Sequence, residues 1–165
     1  MTSPIVSGKI AQPLRVLLVG QEGVGKTTFA ASAPDPIFID AERGSMHLNV
    51  LRFDFGVFDK KESRTTPASV AEVLGVLRWL YSEAHDFKTL VIDTADALEA
   101  IVQKDLCSRS KWDSIESPGY GKGYIAALEE WRTILHAIDC LRAKRGMGVI
   151  VTSHAVIRNF ANPSG

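Results

Sequence analysis

Eight residues, 20–27 (GQEGVGKT), constrain this chain more tightly than anything else in it. They fit the G-x-x-x-x-G-K-[ST] pattern of a P-loop in full, and each position has a physical reason. Gly20, Gly23 and Gly25 let backbone amides, including those of Gln21, Glu22 and Val24, wrap phosphate oxygens that side chains at the glycine positions would block. Lys26 is placed to reach the β- and γ-phosphates, and the Thr27 hydroxyl to join a magnesium shell, with Thr28 in the same helical turn. Glycine-rich turns are common, so the flanks decide. A short apolar run, residues 14–19 (LRVLLV), reads as a strand buried on both faces, and a helix-forming run, 25–33, follows. Strand, phosphate loop and helix in that order predict a bound nucleoside triphosphate with magnesium.

The rest of the chain repeats the alternation. Residues 36–40 (PIFID), 89–93 (TLVID) and 148–153 (GVIVTS) are further apolar strands, and a strand within 51–58 is expected on a weaker pattern. Helices are expected over 69–84, where Ser69 and Glu72 form a capping box, and over 95–106. A long helix is expected over 124–145, with Ile125, Leu128, Trp131, Leu135, Ile138 and Leu141 on its inner side. Such alternation implies an α/β fold, a mostly parallel sheet with helices on both faces. Residues 1–13 lack periodicity and read as an N-terminal arm, leaving 14–165 as one domain. The chain closes on a polar, turn-like NPSG soon after a strand, so a domain truncated at its C-terminus is expected.

Two features carry chemistry beyond the P-loop. Asp93 ends a buried strand, where an aspartate beside a P-loop can orient magnesium through water. Hydrolysis also needs a group to orient water, and the candidates at strand ends are Asp40, Glu42 and His154. Alternation puts Asp40 and Glu42 on one side of the same strand end, so spacing leaves both open as the base.

Residues 38–42 (FIDAE) resemble the strand-end segment of the bacterial RecA recombinase, and residues 91–94 (VIDT) with Ala97 and Leu98 are similar to that family's second nucleotide motif. The resemblance is closest to phage-encoded RecA-like ATPases of the Sak single-strand-annealing group, through the segment 119–124 (GYGKGY) and a strand ending in serine then histidine. It runs from about Leu14 to Phe160. It implies a RecA-like P-loop core and ATP as the nucleotide, with Lys26, Glu42 and His154 as catalytic residues. Glu42 would activate water and His154 would sense the γ-phosphate. It also implies single-stranded DNA as partner, met by loops at 108–124 and 155–165, assembly into a ring or filament, a single-strand-binding protein nearby, and a place in a host cytoplasm. Lys111, Tyr120, Lys122, Arg158 and Phe160 supply the cations and rings that tolerant single-strand binding uses.

Charge alone does not make this a nucleic-acid binder: 19 basic residues balance 19 acidic ones. No apolar run approaches the roughly 20 residues of a membrane span, and no secretory h-region opens the chain. Cys107 and Cys140 fit no metal or redox spacing and read as reduced thiols of a cytoplasmic protein. A small-molecule kinase shares the P-loop but needs an arginine-rich lid, which no segment suggests. A GTPase is disfavoured, since no N-K-x-D motif occurs. A nucleotide-gated interaction module with little turnover is the alternative from another class.

Overall fold

A computed structural model describes Gly8, residues 12–59 and residues 62–156. Among these residues five strands form one sheet: β1 (Arg15–Gly20), β2 (Pro36–Asp40), β3 (Leu51–Arg52), β4 (Thr89–Asp93) and β5 (Gly148–His154). Their order is β1-β5-β4-β2-β3, and every pairing is parallel. The helices are α1 (Lys26–Ala31), α2 (Gly56–Asp59), α3 (Val70–Ser82), α4 (Ala95–Ser110) and α5 (Lys122–Arg145).

Period-two alternation sorts the strands between two layers. Ile37, Ile39, Leu90, Ile92 and Val149 face the main core with residues of α3, α4 and α5, such as Leu77, Val102 and Ile138. Phe38, Val91 and Ile150 face the other way, toward Ala30 of α1. The expected α/β architecture with helices on both faces is therefore present, with most of the core on one face.

Four expectations change. Among the described residues β1 is an edge strand paired only with β5, and one of its faces is open rather than buried: Leu17 and Val19 are 63% and 59% exposed. The stretch expected as a strand over 51–58 pairs only at Leu51–Arg52 and then turns into α2. The helix after β4 runs to Ser110, four residues beyond the expected end, and α5 begins at Lys122, which shortens the loop between them to 111–121. Within α5 the buried face is Gly123, Ala127, Ile134, Ile138 and Leu141, whereas Ile125, Leu128 and Leu135 are exposed. Two apolar stripes run along this helix: of the residues expected inside, Trp131, Ile138 and Leu141 lie on the core side and Ile125, Leu128 and Leu135 on the outer one. Gly123 enters the helix because its missing Cβ admits a neighbour: a methyl there would sit 1.8 Å from the Ile115 carbonyl oxygen.

Ser69 caps α3 as expected, accepting from the Glu72 amide at 3.3 Å. The Glu72 carboxylate closes the turn on the Ala68 amide at 2.8 Å and pairs with Arg64. The expected arm, residues 1–13, lies almost wholly outside the described residues, as do Arg158 and Phe160.

Candidate active site

Parallel strands deliver their last residues to one edge of the sheet, and the chemistry collects there. Gly20 stands beside His154 in register, and Asp40 beside Asp93. The P-loop leaves β1 with Gly23 and Gly25 at φ of 78° and 90°, conformations that glycine adopts without strain. No side chain caps α1, so its first amides stay open. The Lys26 ammonium folds back over this loop, donating to the carbonyls of Gly20 and Gln21 at 2.9 Å each.

Asp93 is fully buried and doubly held. It accepts from the Thr27 hydroxyl at 2.9 Å and from the Thr152 hydroxyl of β5. Burial, the largest influence, raises its carboxyl above the usual range; Asp40 and Glu42 add to this, and the two hydroxyls oppose it. A hydroxyl and a carboxylate side by side form a hard oxygen donor set of the kind magnesium prefers, and a divalent cation would oppose the effect of burial by favouring the carboxylate. The residues present fit that ion.

Glu42 meets this edge from the turn after β2. One carboxylate oxygen accepts from the Thr94 hydroxyl at 3.1 Å, and the other lies 3.1 Å from His154 Nε2. His154 is fixed through its backbone, whose amide donates to Asp96 at 2.7 Å. A pocket of about 310 Å³ opens among Gly23, Gly25, Lys26, Thr27, Thr28, Glu42, His47, Thr94 and His154. Asp40 is not part of it. Wholly buried, it turns to Ser45 and Arg52, so geometry separates the two carboxylates that spacing left paired.

The pocket also shows what residue spacing missed. Thr94, Thr152 and His47 line the pocket or bond its carboxylates, yet spacing marks none of them as a site residue. Thr94 carried a usable signal, since it follows Asp93 and caps α4 through the Ala97 amide. Thr152 needed the β4–β5 register, and His47 the path of a loop.

None of the loop residues 111–121 lines this pocket. Lys111 ends α4 in a left-handed conformation and Lys122 opens α5. Between them Gly119, Tyr120 and Gly121 all have positive φ, at 70°, 49° and 71°, and the Tyr120 side chain is 99% exposed. Trp112 packs against the main core instead, and the Tyr124 hydroxyl donates to Glu116 at 3.2 Å. Both cysteines are free thiols. No helix among the described residues is long and apolar enough to cross a membrane.

Residues 12–165 match the family model described as an AAA domain. No curated protein matches the chain.

Proposed function

The chain belongs to the AAA domain family of P-loop ATPases, and on that premise we propose that it is a magnesium-dependent ATPase of the RecA-like kind, coupled to single-stranded DNA. One observation supports hydrolysis above all: Glu42 is held between Thr94 and His154 at the mouth of the pocket that Lys26 and Thr27 line. In this reading Glu42 orients water and takes its proton, and His154, hinged to the same carboxylate, registers the γ-phosphate. Lys26 exchanges its two carbonyl partners for phosphate oxygens. Magnesium, held by Thr27 and, through water, by Asp93, would offset charge on the β- and γ-phosphates. Gly20, Gln21, Glu22, Gly23, Val24 and Gly25 supply backbone amides to the same groups, and Thr28 closes the rim.

The DNA part of the proposal rests on the loop after α4. Tyr120 stands clear of the domain with Lys111 and Lys122 on either side, a ring and cations suited to bases and backbone. Sak-type annealing, assembly into a ring or filament, and a single-strand-binding partner in a phage-infected cytoplasm complete this reading. A kinase is less well supported. Arg142 and Arg145, the cations nearest a lid pattern, donate to the Pro13 and Glu83 carbonyls, and no arginine among the described residues lines the pocket. A gated module has one observation in its favour, since both Glu42 oxygens already have partners.

Steady-state ATP hydrolysis with and without single-stranded DNA tests the proposal. Turnover that rises with DNA and drops in Glu42→Gln, with ATP binding retained, is the expected result. ATP binding with no turnover under either condition would leave the gated module standing and remove the ATPase.

A further inference from the structure

The connection from β2 to β3, residues 41–50, carries Glu42 into the site, and a single guanidinium ties its two ends together. Arg52 Nε donates to the Ser45 hydroxyl oxygen at 2.6 Å. Its terminal nitrogens donate to the carbonyls of Val50 at 3.0 Å, Leu48 at 2.8 Å and Ser45. The same group lies 3.7 Å from the carboxylate of Asp40, which is fully buried. Asp40 in turn accepts from the Ser45 amide at 3.2 Å and from the Ser45 hydroxyl.

Within this closed ring the backbone runs hard against the site. A Cβ placed on Gly44 would lie 3.2 Å from an Asp93 carboxylate oxygen and 3.3 Å from a Glu42 carboxylate oxygen. The turn therefore passes close to the Asp93 and Glu42 carboxylates, with little space beside Gly44 for a side chain, and Arg52 and Asp40 hold it through Ser45. Arg43, next to Glu42, sits at a φ of 65°, a left-handed conformation a non-glycine residue keeps only when its surroundings fix it. Neither Arg52 nor Asp40 lines the phosphate pocket.

We propose that Arg52, with Asp40 and Ser45, is a positioning residue for turnover: it fixes the turn that aims Glu42 and leaves nucleotide binding to the P-loop. The proposal rests on Glu42 being the water-orienting group. A planar fork reaching four acceptors is a task lysine cannot repeat, because an ammonium offers a compact point charge. The Asp40 carboxylate also needs that cation, since a buried charge deprived of its partner is costly.

The test compares kcat, KM for ATP and affinity for a fluorescent ATP analogue in the parent chain, Glu42→Gln, Arg52→Gln, Arg52→Lys and Ser45→Ala. Displacing a reacting group by about 1 Å can cost on the order of 100-fold in rate, so Arg52→Gln should lose roughly 10- to 100-fold in kcat. KM and analogue affinity should stay within about twofold, and Arg52→Lys should recover part of the loss by keeping a charge against Asp40. Should Arg52→Gln fail to fold, Ser45→Ala decides, because it removes one oxygen and leaves the guanidinium in place. Parental kcat in the folded variants overturns the proposal, as does a joint fall of kcat and analogue affinity. A Glu42→Gln variant as active as the parent overturns the reading of Glu42 itself, and the positioning role with it.

Discussion

In the proposed function Glu42 and Lys26 divide the work of the site, and single substitutions should separate them. The Lys26 ammonium has two neutral carbonyl partners at present and would gain charged ones with a triphosphate. Each hydrogen bond to a charged group contributes about 1.5–3 kcal/mol, so Lys26→Ala should weaken binding of a fluorescent ATP analogue by at least about tenfold. Unchanged affinity would remove Lys26 from the phosphate site. A second residue-scale prediction concerns Gly123. Its replacement by alanine drives a methyl into the Ile115 carbonyl, where backbone must move, at a cost of about 1–3 kcal/mol. Urea denaturation would show it, and an unaltered midpoint would mean the loop yields freely. The glycine at 123 is thus explained by packing, whereas Gly119 and Gly121 serve a left-handed turn that presents Tyr120. All three lie in the GYGKGY segment, and the sequence does not distinguish their reasons.

At the scale of elements, α5 shows how an apolar pattern misleads. Its outer stripe carries Ile125, Leu128 and Leu135, each more than two-fifths exposed, while its buried stripe includes Gly123 and Ala127. Ile134→Ala should then destabilise the fold by about 2–5 kcal/mol, and Leu128→Ala by little more than about 0.5 kcal/mol. Equal effects in thermal denaturation would reverse the assignment of faces. The segment that leads from β3 through α2 to α3 is organised differently, by a carboxylate. Asp54 accepts from the amides of Gly56 at 2.9 Å and Arg64 at 3.0 Å. These bonds, with the Arg64 amide foremost, hold its carboxyl below the ordinary value of 3.8. A depressed folded value means stability that is fully present above 3.8 and lost as pH falls through the lower, folded value. Asp54→Asn should accordingly be less stable than the parent at pH about 7, with the gap closing only below 3.8. A gap that closes between neutrality and pH about 5 would contradict that account.

On the scale of the whole molecule, the two loci of the proposed function are set apart. Asp93, Glu42 and His154 meet at the ends of β4, β2 and β5, while Tyr120 projects from the α4–α5 loop. If that ring stacks on a base, Tyr120→Ala should weaken single-stranded DNA binding by about 1–3 kcal/mol, read by fluorescence anisotropy at fixed salt. An unaltered dissociation constant would place the DNA contact elsewhere or nowhere. β1, which carries the P-loop, is one of the two edge strands among the described residues, with apolar Leu17 and Val19 exposed.

The sequence by itself determined the phosphate loop, four of the five strands and the class of fold. These features are local: glycines at fixed offsets, apolar runs bounded by turns, and a lysine and threonine whose roles follow from the loop they end. Asp93, Glu42 and His154 were also legible as strand-end residues. Only the tertiary structure set the surroundings of Asp40 and Glu42 apart, because both leave the same strand and differ only in the partners brought to them, Ser45 and Arg52 for one, Thr94 and His154 for the other. It alone brought Thr152 of β5 to Asp93 of β4 across 59 residues of sequence. It also made β1 an edge strand, because an apolar run records only that a strand is to be buried. Which neighbours bury it, and on how many sides, depends on the order in which the strands assemble.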